Sequence, residues 1–342
     1  MDIPGYILDI EPALSFIKKQ HIKHVALQLP EGLKSHVHSI VSYIETETQA
    51  TVFVAAIPCY GACDVFSPGL VLSDVIEVII HIGHTEIPSC MKESVPVFYV
   101  TACSTMDVLP CVEKAVPVLV GKHIGLVTTA QHLHSFSEVR SLLESKGFQV
   151  YLGQGDSRIS QQGQILGCNF SASASISNQV DCFLFIGSGT FHALGLVLKT
   201  DKPVVAADPY TQCIQKEELE TFKESIMRQR YGAIAQAKQS KCFGIIIGTK
   251  PGQFRLNLAQ DLRKKLHQAN KKTMMLLIDH LSAENMQSFR NIDCLVSTLC
   301  PRLAFDDYLQ FRIPIITPVE CDIMLGHKQW EQYSFDEIVD DE

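Results

Sequence analysis

Three cysteines, Cys59, Cys168 and Cys300, stand where apolar strand-like runs give way to loops, one in each third of the 342-residue chain. They occur as Pro58-Cys59, as Gln164-Ile165-Leu166-Gly167-Cys168 and as Cys300-Pro301-Arg302. Each precedes an expected helix start, where the backbone dipole favours a thiolate over a thiol. Three thiolates from three distant segments can hold an iron–sulfur cluster with one iron left open to a substrate. Structural zinc sites instead use paired ligands two to four residues apart. Cys59 and Cys63 supply half of such a set and no second pair follows, so zinc is the weaker alternative. Cys59, Cys63 and Phe66 also match a Cys-x3-Cys-x2-Cys radical motif with Phe66 in the last place. That match reads as accidental, and Cys63 as a packing or supporting residue. Cys182, Cys242 and Cys294 lie inside apolar runs and read as small core hydrophobes.

Other residues have the chemistry to bind a ligand. A glycine turn, Gly187-Ser188-Gly189, opens the segment Thr190-Phe191-His192 after an apolar run. Its amides can approach an anion such as a carboxylate closely, or the turn can serve folding alone. It has neither dinucleotide-binding nor P-loop spacing. His192 is a candidate substrate contact or a helix cap, and Arg302 can pair with a carboxylate or with Asp306 one turn on. His81 and His84 are expected at the same edge. No nucleophile-elbow pattern supports Ser–His–Asp catalysis.

Positioning these residues requires an α/β fold, because short β-branched runs alternate with helical stretches throughout. Strands are expected at 24–29, 51–57, 76–82 and 97–100, at 124–128, 149–152, 182–186 and 204–207, and at 243–247, 274–278, 294–298 and 315–316. Prolines 96, 203 and 314 open the last strand of each set, at similar intervals, which suggests one unit used three times. Helical linkers are expected at 106–116 and 215–239. The predicted architecture is three small domains (1–105, 106–214 and 215–342), each a four-stranded mostly parallel sheet flanked by helices, in a pseudo-threefold arrangement around a central cluster. In open parallel sheets ligands bind beyond the carboxyl edge, and all three cysteines fall there. The acidic tail (Asp336, Glu337, Asp340, Asp341, Glu342) reads as solvated or frayed.

Bulk properties exclude other classes. A net charge of −8 argues against a phosphate-neutralising nucleic-acid binder. No run approaches the ~18 apolar residues of a membrane span, and the start lacks the pattern of a signal peptide. Twelve cysteines then fit a reducing compartment, the cytoplasm.

At these residues the chain resembles the diphthamide-biosynthesis family of 2-(3-amino-3-carboxypropyl)histidine synthases, in its short archaeal form. The matching stretches are Leu27-Gln28-Leu29-Pro30-Glu31-Gly32-Leu33, Pro58-Cys59-Tyr60-Gly61-Ala62-Cys63-Asp64, Gly163-Gln164-Ile165-Leu166-Gly167-Cys168-Asn169, Phe191-His192, Ala207-Asp208-Pro209-Tyr210 and Cys300-Pro301-Arg302 with Asp306-Asp307-Tyr308. The resemblance implies a cytoplasmic homodimer whose Cys59, Cys168 and Cys300 hold a [4Fe–4S] cluster. It implies S-adenosylmethionine as co-substrate, cleaved by one electron at the bond from sulfur to the γ-carbon. The 3-amino-3-carboxypropyl group then adds to C2 of a histidine in translation elongation factor 2. Candidate contacts to S-adenosylmethionine are Gly187, Ser188, Gly189, His192 and Arg302. The residues before Phe191-His192 depart from the usual family form, which often has a charged residue there. Two alternatives remain at this point: a quinolinate-synthase-like cluster enzyme, and a non-catalytic subunit whose cluster relays electrons.

Overall fold

The computed structural model describes residues 1–90, 94–305 and 308–339. Its frame is three parallel sheets of similar build. The first contains β1 (His24–Gln28), β2 (Thr51–Val54), β3 (Val78–Ile82) and β4 (Val97–Val100). The second contains β5 (His123–Thr128), β6 (Gln149–Tyr151), β7 (Cys182–Ile186) and β8 (Val204–Ala207). The third contains β9 (Cys242–Gly248), β10 (Lys272–Ile278), β11 (Cys294–Ser297) and β12 (Ile315–Ile316). In every sheet the spatial order is second, first, third, fourth, and every pairing among these strands is parallel.

All twelve expected strands are present; some are trimmed at an end and others, at 123–128, 242–248 and 272–278, run one or two residues further. The run expected at 51–57 leaves the ladder after Ala55, whose amide makes a last bond to Leu27 O at 2.8 Å. Pro58 follows shortly and cannot donate to a ladder. The expected linker helices occur at Leu109–Ala115 and Glu217–Gln239. The sequence reading missed a small antiparallel sheet of Asp2–Ile3, Tyr6–Leu8 and Ala102–Ser104, and an antiparallel edge, Ile214–Gln215, on β8. These two- and three-residue strands are too short for alternation to register.

Strands β3 and β7 are buried at every position, as the near-continuous apolar runs of a sheet covered on both faces should be. The first sheet packs its own core, including Leu14, Leu27, Ile40 and Ile80. The second and third sheets share one, in which Phe170, Phe183, Leu219, Leu276, Phe305 and Phe335 are buried together. Among the described residues no helix is long and apolar enough to cross a membrane.

The long helix Glu217–Gln239 is fastened by one buried ion pair. Arg230 and Glu320 are both wholly buried, and the guanidinium grips the carboxylate at 2.7 and 2.6 Å. Its remaining donors reach Ala304 O and Ile315 O, each at 2.6 Å. Glu320 also accepts the Thr317 amide at 2.8 Å, completing the capping box that starts the helix Pro318–Leu325. One arginine thus ties the linker helix to β12, to the segment after Cys300 and to the last long helix.

The tail departs from expectation. Asp336 is 3% exposed and meets Arg255 at 3.0 Å, while Glu337 pairs with Lys199. The acidic pattern suggested solvation, but two buried or half-buried cations on other segments neutralise these carboxylates. Asp340, Asp341 and Glu342 lie outside the described residues, as do Asp306 and Asp307.

Replacing Arg230 or Glu320 singly by alanine strands a buried charge and should cost about 3–5 kcal/mol in urea unfolding. An unchanged midpoint in either variant would refute this account of the ion pair.

Candidate metal centre

Each of the three cysteines is presented by a turn at a carboxyl edge. Cys59 follows β2 through Pro58 and is 2% exposed. Its loop is held from below by Gln28, a wholly buried amide at the end of β1. Gln28 Nε2 donates to Asp64 O at 2.8 Å, and Gln28 Oε1 accepts the Phe66 amide at 2.7 Å. Cys168 lies on a return segment that runs beside the end of β5. Thr128 N donates to Gly163 O at 3.0 Å, and Ile165 N donates to Thr128 O at 2.9 Å. A tight turn follows, in which Leu166 N donates to Asn169 O at 3.0 Å. Cys300 ends the run from β11, and its carbonyl accepts the Leu303 amide at 3.2 Å to start the short helix Arg302–Phe305.

Loops from different sheets interlock around these thiols. Arg158 Nη2 donates to Gly252 O at 3.1 Å, joining the second sheet's loops to the third's. Gln164 Nε2 donates to Thr85 Oγ1 at 2.6 Å, joining the second to the first. Lys250 meets Asp64 at 2.6 Å, and Gln253 Nε2 donates to Cys63 Sγ at 3.6 Å, joining the third to the first. The Phe191 ring is clasped between two cysteine segments. A Cβ on Gly167 would stand 2.3 Å from it, and the Arg302 guanidinium lies 4.7 Å from its centroid.

The thiols sense one another. Burial pushes Cys59 up to about 12, with Asp64 and then Cys63 adding repulsion. Burial likewise pushes Cys168 up to about 12, followed by Cys63, while Arg158 opposes the shift. Cys300 is raised further by burial, then by Cys168 and Cys63. The elements after the cysteines are single turns (Ala62–Asp64, Ser171–Ala174 and Arg302–Phe305), and desolvation exceeds what so short a dipole supplies.

The donor set can be weighed for metals. Among the described residues, ligand atoms of Cys59, His81 and His84 lie within 4.8 Å of one another. A single ion there would compete with existing bonds. His81 Nδ1 lies 2.9 Å from Gln28 Oε1, an acceptor, so that nitrogen carries the proton. His81 Nε2, 2.9 Å from His84 Nδ1, then accepts from it, leaving neither His81 nitrogen free. A four-iron cluster instead interposes its own iron and sulfide between the thiols. Buried thiols from three sheets, beside the buried cation Arg158, fit that larger group.

The other sequence candidates divide. Gly189 has φ of 76° with open space where a Cβ would be, and it heads the helix Thr190–Lys199. His192 stacks on Phe185 with centroids 6.2 Å apart, and burial, then Arg302 and His84, lower it to about 4. His84, His192 and Arg302 therefore face a common region. Burial lowers His81 to about 3 and His84 to about 4, so this imidazole group is neutral at physiological pH.

Two features escaped the sequence reading. Arg158 lies in a polar loop with no recognisable motif. The strap 334–339 closes over the Cys168 turn: Ile338 N donates to Cys168 O at 2.8 Å, and Asn169 Nδ2 donates to Ile338 O at 3.1 Å. Phe335 is wedged between Phe170 (5.6 Å) and Phe305 (5.0 Å), so one ring buttresses the segments following Cys168 and Cys300. Only its apolar character amid acidic residues hinted at this.

Fold and site together define a thiol-lined centre assembled from three parallel α/β sheets. Residues 29–334 match the diphthamide synthesis protein family, and the chain belongs to that family. It is 36% identical to the 2-(3-amino-3-carboxypropyl)histidine synthase of Pyrococcus horikoshii, over 95% of this chain and 92% of that protein. It is 27% identical to subunit 1 of the corresponding synthase of Eremothecium gossypii, over 94% of this chain and 75% of that subunit. Among solved structures, Dph2 from Pyrococcus horikoshii with a 4Fe-4S cluster superimposes with a TM-score of 0.88 at 34% identity, covering 98% of this chain and 95% of that one.

Phe335→Ala should destabilise the protein by about 3–5 kcal/mol, the cost of emptying a large aromatic site, read as a lower urea midpoint. A midpoint equal to wild type would show that the strap is not a buttress. Acid should also weaken the fold. His132 is 2% exposed, its Nδ1 has no partner, and burial first lowers it to about 4. A lowered histidine contributes stability that is full above its unfolded value and is lost as pH falls towards the folded one. Between about 6.5 and 4, His132 should contribute a slope approaching about 1.4 kcal/mol per pH unit. His132→Phe should flatten that part of the stability–pH curve, and an unaltered slope would contradict the assignment.

Proposed function

We propose that this chain catalyses the first step of diphthamide biosynthesis, transferring the 3-amino-3-carboxypropyl group of S-adenosylmethionine to C2 of a histidine in translation elongation factor 2. The observation that carries this reading is the joining of the loops that bear Cys59, Cys168 and Cys300, through Arg158–Gly252, Gln164–Thr85 and Lys250–Asp64, in a chain of this family. Cys59, Cys168 and Cys300 are the proposed ligands of a [4Fe–4S] cluster, and Cys63 supports them. When bound, such a cluster supplies the single electron that cleaves a sulfonium carbon–sulfur bond.

The chain's own residues then determine which of three carbon–sulfur bonds is presented, a matter of orientation. Arg302 offers a guanidinium for the carboxylate of the amino-acid end, its plane braced on Phe191. The Gly187-Ser188-Gly189 turn offers backbone amides, and its open face at Gly189 leaves room for a ligand. His192 stays neutral and can donate or accept a hydrogen bond without adding charge beside the sulfonium. Burial of the thiols keeps water from the reacting carbon.

The same reading takes the three sheets as domains divided near 105/106 and 214/215, set around the centre with approximate threefold symmetry. It places the protein in the cytoplasm as a homodimer, with elongation factor 2 as its protein substrate.

The test uses anaerobically reconstituted protein with dithionite, S-adenosylmethionine and the cognate elongation factor. Mass spectrometry should find methylthioadenosine in solution and a 3-amino-3-carboxypropyl adduct on the factor. Methylthioadenosine without the adduct would remove the single-chain reading of substrate recognition. Neither product, from protein with an intact cluster, would favour the electron-relay role. Alanine at Cys59, Cys168 or Cys300 should lower methylthioadenosine formation by at least about 10–100-fold, the effect of losing merely a supporting group at a metal site. Cys182→Ala should change only stability, because Cys182 is a wholly buried core residue. A full cluster and full activity in Cys168→Ala would overturn the ligand assignment.

A further inference from the structure

Arg158 is a buried cation for which the described structure provides no carboxylate. It is 6% exposed, and its Nη2 donates to Gly252 O at 3.1 Å. Its Nε is buried without a hydrogen-bond partner among the described residues. The nearest carboxylate in sequence, Asp156, is spent elsewhere: Oδ1 accepts the Arg158 amide at 3.0 Å, and Oδ2 accepts Asn169 Nδ2 at 2.8 Å. Asp156 thereby locks the backbone of Arg158 to the residue that follows Cys168. The other buried arginines contrast sharply, since Arg230 grips Glu320 and Arg255 grips Asp336. What faces the Arg158 guanidinium is sulfur. It lies within hydrogen-bonding reach of the Cys168 thiol, and Gly252, to which it donates, is so close to Cys63 that a Cβ there would stand 2.4 Å from Cys63 Cα.

A buried guanidinium with no counter-anion is a costly arrangement unless the anion arrives with something else. We propose that Arg158 is the counter-cation of the thiol centre, supplying the positive charge that an iron–sulfur cluster on Cys59, Cys168 and Cys300 requires and setting how readily that cluster accepts an electron. The proposal rests on the cluster reading given above. Three thiolates outweigh the positive core of such a cluster, so the assembly is anionic and becomes more so on taking up one electron. A fixed cation at the Cys168 side favours the reduced form. It also holds Gly252 O, and so couples the charge to the contact between the second and third sheets. Arg158 is thus a positioning and tuning residue and does not itself touch the reacting atoms.

The experiment compares wild-type protein with Arg158→Met and Arg158→Lys, each reconstituted anaerobically and assayed for iron and sulfide. An electron-paramagnetic-resonance redox titration then gives the midpoint potential. Arg158→Met should shift the midpoint to more negative potential, and Arg158→Lys should return it most of the way to wild type. An identical midpoint in Arg158→Met at matched iron and sulfide content would overturn the proposal. Thermal unfolding of each protein with and without the cluster supplies an independent arm. Cluster-free Arg158→Met should be at least as stable as cluster-free wild type, because an unpaired cation has gone, while its gain on reconstitution should be smaller. Equal destabilisation of both forms would assign Arg158 to holding Gly252 O alone and would overturn the tuning role. Should Arg158→Met take up no iron, its cluster-free stability decides: at or above wild type supports the proposal, and below wild type refutes it. Wild-type protein that binds no iron would remove the cluster reading itself, an outcome separate from any result on the variants.

Discussion

Gly252 lacks a side chain at a place where the backbone of Cys63 leaves no room for one. A Cβ there would stand 2.4 Å from Cys63 Cα and 2.5 Å from its Cβ. This contact sets the third sheet's first loop against the first sheet's cysteine loop, and Arg158 of the second sheet caps it through Gly252 O. A parallel sheet offers ligands only beyond its carboxyl edge, so a centre drawn from three sheets exists only where three such edges are pressed together. The close approach at Gly252 is where that constraint is met, and the bonds Gln164–Thr85 and Lys250–Asp64 flank it.

Closing the edges together desolvates what they carry. Burial opposes ionisation of the thiols and lowers the imidazoles of His81, His84 and His192. Buried charges elsewhere are matched in pairs, as at Arg230 and Glu320, where breaking the pair is far more costly than the pair is stabilising. The centre therefore combines weakly charged acids with cations, Arg158 and Lys250, that already face them. Such a site favours a ligand that brings its own negative charge or deprotonates the thiols on binding.

Much of this was legible in the sequence because strand periodicity and cysteine placement are local signals. Twelve β-branched runs gave twelve strands, and the prolines at 96, 203 and 314 marked the repeat. The positions of Cys59, Cys168 and Cys300 at run ends placed them at carboxyl edges. Pairing was not legible. Nothing near Arg158 announces that it reaches Gly252, and nothing in Phe335-Asp336-Glu337 announces burial between Phe170 and Phe305. The expectation for the acidic tail failed because composition records charge and not its partners, here Arg255 and Lys199. The shortness of the helical turns after the cysteines, and the depth of the thiols, were not legible because tertiary packing decides both.

The repeat also explains how one architecture carries two kinds of group. Loops after the second strand of a set bear Cys59 and, after a longer return, Cys168. Loops after the third strand bear His84, the Gly187-Ser188-Gly189 turn leading to His192, and Cys300 with Arg302. The third-strand loops meet one another, since His192 senses both Arg302 and His84. Cys300 belongs to both sets: Cys168 and Cys63 lie near enough to oppose its ionisation, and its neighbour Arg302 braces Phe191 beside His192. The single segment Cys300-Pro301-Arg302 thus joins the thiol group to the polar region where a carboxylate can be held. Proline between the two fixes φ where the short helix begins, so the backbone carrying the sulfur and the guanidinium turns at a set angle there. That coupling is what a reaction needing one defined bond at a metal centre demands of its protein.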